Sequence, residues 1–544
     1  MNNKAGCEMS NHTPIRMPVA DSRHCSAWLA MLLAAASVAT TPSSASAQCE
    51  LTKLTAPDAG TSDEFGTTVD VDGDIIVVGA PHADTFITNE GAAYVFYRNA
   101  GGADNWGFVK KISASDGLPG EGFANSVGIS GDVIVVGCAL DDDSPHSNSG
   151  SAYVFHRNAG GADNWGQVKR LTAPSAASNN LFGQSVAVAG DAILVGAHGT
   201  SANTGAAHAF GRNQGGSDNW GYQAALDPID GGPGAQFGWS VDADQTYAIV
   251  SAHKQNGGGN ARGAAYIFER DAGGTDAWGR VAKLTAFDAD DFDNFGYDVA
   301  IQNRRVVVGS PFDDDEGAAS GSVYVYDPGV GDVWNFVAKR TASDGSSDDQ
   351  YGLAVGVHGD DAIAGAHYVG NGVGAAYLLN ADEGGSNLWG EVDKLVASDA
   401  TGGINYGWDV RLHGSTAAVG ARYESSAAAS AGAVYVVDLI CVVVGVDALD
   451  VLQAPTLQAL PNPTRGEVRM RVFPGSADVL NVRIFDVRGN LVRRLSPQPV
   501  QPGTPAEWVW DGRDDNGRPV TAQTYFYEIA GAAQRSTGKL TLVR

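Results

Sequence analysis

The chain has 544 residues, 43% of them hydrophobic, with 71 glycines and a formal net charge of −27. That acidity excludes nucleic acid and anionic lipid as electrostatic partners, and the length allows several packed units. The charge is uneven: residues 1–47 carry 3 Lys/Arg against 2 Asp/Glu, residues 48–455 carry 20 against 52, and residues 456–544 carry 12 against 8.

Residues 1–47 read as an export signal. Arg16 and Arg23 precede the apolar run Ala27 to Ala39, and Ala45-Ser46-Ala47 fits the small-residue cleavage rule. The run is too short for a membrane span. The expected location is therefore secreted or on the outer cell surface.

From residue 48 onward one three-part phrase is written seven times. An aromatic followed by a small residue stands at Phe65, Phe123, Phe182, Phe237, Phe295, Tyr351 and Tyr406, at steps of 58, 59, 55, 58, 56 and 55 residues. Each copy continues into a VVGAP-like segment and then a GAAYVF-like segment, as at Gly91 to Phe96. Six copies go on through a Gly/Asp/Asn turn to a tryptophan (Trp106, Trp165, Trp220, Trp278, Trp334, Trp389) and a fourth strand. Four short strands rich in Val, Ile, Tyr and Phe form an antiparallel blade, with two-residue turns such as Gly131-Asp132 closing the first hairpin. A repeat this small buries no core alone, so the fold class is all-β, a seven-bladed propeller.

The seventh copy lacks its fourth strand. Lys53-Leu54-Thr55-Ala56 copies the outer-strand ending Lys283-Leu284-Thr285-Ala286, so the N-terminal strand is expected to close the ring. By alignment to blade one, Cys49 falls where Gly107 lies and Cys441 where Ala100 lies, and these flank one hairpin turn. Cys49 and Cys441 are therefore expected to form a disulfide clasp, compatible with an oxidising destination. Cys138 replaces the Ala of the GAP-like segment and reads as a small buried residue.

With these copies in register, residues 50–440 resemble the FG-GAP family, relatives of the integrin α-subunit propeller. Phe65-Gly66, Phe182-Gly183, Phe237-Gly238 and Phe295-Gly296 supply the FG element, and Gly79-Ala80-Pro81 the full GAP. The resemblance implies a non-enzymatic binding or adhesion protein that meets protein or glycan partners on one loop face. The family's usual calcium loop between the first two strands has shrunk here to turns such as Asp72-Gly73-Asp74.

The last segment resembles the FlgD-like immunoglobulin module and type IX secretion sorting domains. Pro461-Asn462-Pro463 opens it, Val482-Arg483-Ile484-Phe485-Asp486 and Trp510-Asp511-Gly512-Arg513-Asp514 match its strands, and Gly538 to Arg544 closes it. Alternation at Val468, Met470 and Val472 independently predicts a small sandwich. The resemblance implies a role in export or surface attachment. The expected organisation is signal 1–47, propeller 48–443, linker 444–460 and sandwich 461–544, in a monomer.

Strand order puts the loop into each first strand and the loop between second and third strands on one face. That face collects Asp141, Asp142, Asp143, Asp344, Asp348, Asp349 and, around blade five, Asp288, Asp290, Asp293, Asp313, Asp314 and Asp315. The last six are the candidate ligands for Ca²⁺, a cation that takes six to eight oxygens, although EF-hand spacing is absent. His198, His253 and His367 recur at the end of the second strand, where a structural role is the first reading. The blade tryptophans read as interblade packing, with a rim of sugar platforms, and so a lectin, as the alternative. No HExxH, P-loop, GxSxG or zinc spacing is present. The Gly370, Gly372, Gly374 run falls in a loop, and a propeller hydrolase is kept only as a third reading.

Overall fold

The computed structural model describes residues 50–85, 88–102, 104–439, 456–460, 468–473, 478–485, 491–500, 506–515, 517–521, 524–530 and 535–542. The expected export signal and both cysteines of the expected clasp, Cys49 and Cys441, lie outside them. Among the described residues Cys138 is the one cysteine, a buried free thiol.

Seven four-stranded antiparallel sheets form the ring. In blade one the strands are Thr68–Asp72, Ile75–Ala80, Ala92–Tyr97 and Gly107–Ile112, from the axis outward. The seventh blade takes its outer strand from the N-terminal Glu50–Leu54, which pairs with Ala433–Asp438 in the register Leu54↔Val434, Lys53↔Tyr435. The two-residue turns between first and second strands fall as expected, with Gly131 of blade two at φ 58° between Ser130 and Val133.

The repeated phrase encodes contact between blades. Each FG-type aromatic is buried, and in six of the seven the backbone bridges the glycine that opens the preceding blade's third strand, as in Phe182 with Gly150 and Phe295 with Gly263. A Cβ on Gly150 would stand 2.0 Å from the Phe182 carbonyl oxygen, and φ there is +81°, so only glycine fits. The hydrophobic cores consequently lie between blades. Phe295, Val299 and Val308 of blade five share one with Ile249 and Ile267 of blade four. The core joining Phe65, Ile76 and Tyr94 of blade one to Val434 and Val436 of blade seven, with Leu54, shows that the ring is closed.

The C-terminal segment has a three-stranded and a four-stranded sheet. Val468, Val482, Ile484, Trp510, Tyr525 and Ile529 share one core between the sheets. A first strand, Thr456–Leu460, pairs with Val468–Phe473, so residues expected to be linker already belong to this module.

Candidate functional site

On the loop face each blade except the third is joined to the one before it by charge. The loop leaving an outer strand carries an aspartate four residues after the strand's last residue, and it meets the outer-strand cation of the following blade, a lysine in five blades and Arg170 in blade two, beside the third-strand tyrosine. In blade one the Tyr94 hydroxyl donates to Asp58 at 2.9 Å and Lys111 Nζ lies 2.7 Å from the same carboxylate. Asp344 with Tyr377 and Lys394, and Asp399 with Tyr435 and Lys53, repeat the arrangement. The lysine also sits over the tyrosine ring, 5.3 Å from its centroid in blade one and 5.2 Å in blade six. Tyrosine and lysine are direct cross-strand neighbours, which fixes this geometry.

This pattern decides the fate of the expected calcium ligands. Asp288, Asp313 and Asp315 converge on Lys339, whose Nζ lies 2.8, 2.8 and 2.6 Å from them. Asp293 instead accepts the Asp290 backbone N–H, and Asp314 the Ala319 N–H. The six are thus split, and the cation among three of them is an ammonium supplied by the chain. Burial opposes charging Lys339, but its hydrogen bonds to Asp288, Asp313 and Asp315 outweigh this and hold its pKa above the ordinary lysine value. Burial first, then nearby Asp313 and Asp290, push Asp293 up to about 6 against the Asp290 N–H. Among the described residues, no group of three or more His, Cys, Asp or Glu is placed to hold a metal ion.

The second feature is the axis. Innermost strands present free edges there, and their amides need acceptors. Asp70 accepts the N–H of Ile129 at 2.7 Å, Asp242 that of Ile301 at 2.7 Å, Asp298 that of Val355 at 2.8 Å and Asp409 that of Val69 at 2.8 Å, each reaching the next blade. Arg411 lies among them, 3.1 Å from Asp409 and 3.4 Å from Asp298. Asp70 and Asp242 border the axial cavity yet lie deep within the ring. Burial dominates their titration and pushes them up to about 6 and about 7, despite Arg411 and the N–H donors.

Arg411 borders two axial cavities. One, about 330 Å³, is lined by the far ends of the innermost strands, including Asp72, Gln302, His358 and His413. The other, about 200 Å³, is a bowl on the loop face. Its wall is divided: blades one to three contribute Thr67, Asn125 and Gln184, and blades four to seven contribute Trp239, Tyr297, Leu353 and Trp408. The floor holds Asp298, Asp409 and Arg411.

The three histidines stand behind this wall, in the structural role expected. His198 and His253 pack on Trp239 at ring separations of 4.9 and 4.4 Å, and His367 packs on Trp408 at 4.9 Å. Burial lowers their pKa values to about 4, about 3 and about 3. The six blade tryptophans are buried, and several indole N–H groups reach the preceding blade, as Trp165 does to Tyr97 at 2.9 Å. They are packing residues, and the rim of sugar platforms is absent at those positions.

Sequence reasoning missed the bowl. Its wall residues follow the FG pair immediately, at a position that reads Thr, Asn, Gln, Trp, Tyr, Leu and Trp around the ring, so a search for what repeats passes over it. Arg411 had a signal: it is the one Lys or Arg within the seven innermost strands.

The FG-GAP repeat family profile matches residues 49–96, 106–155, 165–210, 220–268, 278–326, 334–379 and 389–437, and that of the FlgD Ig-like domain matches residues 459–534. Among solved structures, PorZ, a bacterial surface component of the type-IX secretion system of Porphyromonas gingivalis, is similar at 12% identity with a TM-score of 0.35. The match covers 88% of this chain and 65% of that one, so the chain spans less than two thirds of its length. No curated protein matches.

Proposed function

The chain belongs to the FG-GAP repeat family, and we propose that its ring is a recognition scaffold, not an enzyme, working outside the cell or on its surface. The loop face is the contact surface for a protein or glycan partner. The C-terminal FlgD-like module serves export or surface attachment. The observation that carries this reading is the open axial bowl on the loop face, with its aromatic half-wall and a floor where Arg411 lies against Asp298 and Asp409.

FG-GAP propellers are often calcium-binding. In blade five the carboxylates best placed for a metal already converge on the Lys339 ammonium, so calcium on this face would have to displace it or draw on the remaining loop carboxylates. The test presents purified residues 48–544 to protein and glycan arrays, with calcium and with chelator, beside a panel of hydrolase substrates. Saturable binding without turnover is expected, and turnover of any substrate would overturn the reading.

A further inference from the structure

We propose that the axial bowl is a subsite for a single uncharged pyranose, the terminal sugar of a glycan. The proposal rests on the recognition reading above and specifies its ligand.

Size comes first. Pockets for drug-sized ligands run to roughly 300–1,000 Å³, and this bowl of about 200 Å³ is smaller. It holds one ring, not two.

The division of the wall comes second. A pyranose has a face of C–H groups and a rim of hydroxyls. Trp239, Tyr297 and Trp408 occupy one arc and offer apolar ring surface, while Thr67, Gln184 and Asn125 occupy the opposite arc. The Asn125 amide is held by the chain, donating to the Gly183 and Gln184 carbonyls and accepting the Ala139 N–H, and the Thr67 hydroxyl donates to the Glu64 carbonyl, so the groups left for a ligand are the Gln184 amide and the acceptor side of Thr67. A ligand with two unlike sides fits such a wall.

Charge comes third, and it separates this ligand from a cation. Aromatic rings above carboxylates would ordinarily suit an ammonium or guanidinium group. Here the chain has supplied both. Arg411 lies against Asp298 and Asp409 on the floor, and the Arg422 guanidinium carbon stands 3.3 Å from the ring centroid of Trp408 and 4.5 Å from that of Tyr423. A further cation would have to share Asp298 and Asp409 with Arg411 and approach a Trp408 ring already stacked by Arg422. An uncharged ligand displaces neither guanidinium.

The experiment titrates the intact mature chain with neutral methyl pyranosides and screens it on an array of neutral, acidic and amino-sugar glycans, reading tryptophan fluorescence. The six blade tryptophans and Trp508 and Trp510 of the C-terminal module are buried, so quenching reports Trp239 and Trp408 of the bowl. The expected result is binding of at least one neutral pyranoside, weakened tenfold or more by W239A and by Q184A, with the melting temperature unchanged in Q184A and lowered in W239A. Because Trp239 also packs on His198 and His253, W239F keeps the packing and is expected to retain binding. Binding of neutral sugars that neither W239A nor Q184A weakens would overturn the bowl as the site. Trp239-dependent capture of cationic peptides without sugar binding would overturn the sugar while leaving recognition intact. An intact ring that binds nothing on either array would defeat both readings.

Discussion

Blades five and three share the four-stranded backbone, the FG and third-strand glycines and the buried FG phenylalanine, yet part company at a three-residue set on the loop face. Blade five has Asp288, Tyr324 and Lys339; blade three has Ser175, His208 and Ala225 at the same registers. All three members change together. The reason is physical: a lysine over a buried ring needs a carboxylate, and a carboxylate 29% exposed with a neighbour 4% exposed needs a cation. Removing one member strands the others, whereas removing all three strands nothing. The Asp–Tyr–Lys set is therefore one latch between blades, and blade three shows that a blade folds without it when the whole set is absent.

The hardest way to break that contrast is K339M. It leaves Asp288, Asp313 and Asp315 facing one another without a cation, and stability should fall by about 3 kcal/mol, the low end for a broken buried pair because Asp315 remains half exposed. Thermal unfolding checks it. Added calcium should recover part of the loss in K339M and leave the wild-type melting temperature unmoved. A variant as stable as wild type would mean that solvent already screens the trio.

The contrast is sharpened by installing the latch. Ser175→Asp, His208→Tyr and Ala225→Lys together should stabilise the ring by about 1.5 kcal/mol, from one charge-assisted hydrogen bond and one cation–π contact. Each single change should be neutral or harmful, since a lone buried hydroxyl or an unpaired charge costs free energy. Additive single effects in denaturant unfolding would show that the three residues do not act as a unit.

How far the sequence could be read follows from what repeats. The Phe–Gly pairs and Gly150-type glycines recur because two backbones touch there in each blade, so they announce the blade count and ring closure. The outer-strand copy at Lys53 to Ala56 likewise announced the pairing of Glu50–Leu54 with Ala433–Asp438. Asp288, Asp313 and Asp315 were visible as a carboxylate cluster, but their partner Lys339 stands on a strand beyond the cluster and enters only through sheet pairing. The FG-following residues Trp239 and Trp408 were invisible for the opposite reason: they serve the axis, where the residue type is not kept from one blade to the next.

The smallest effect isolates blade three through pH. Burial lowers His208 to about 4 from its ordinary 6.5, and no carboxylate stands at the position where the other blades keep one. A depressed histidine is protonated more readily in the unfolded chain, so its contribution is complete above pH 6.5 and is lost as pH falls from 6.5 toward 4. At pH 5.5 one such group amounts to about 1 kcal/mol after allowance for its partial exposure. H208F removes the titration without introducing a hydroxyl that lacks a partner. Relative to wild type, H208F should gain stability between pH 7.5 and pH 5.5, because the other buried histidines, His198, His253 and His367, titrate equally in both chains and cancel. Parallel melting-temperature profiles over that range would mean that His208 reaches water in the folded ring. The gap that separates blade three from its neighbours would then be solvated, not merely unlatched.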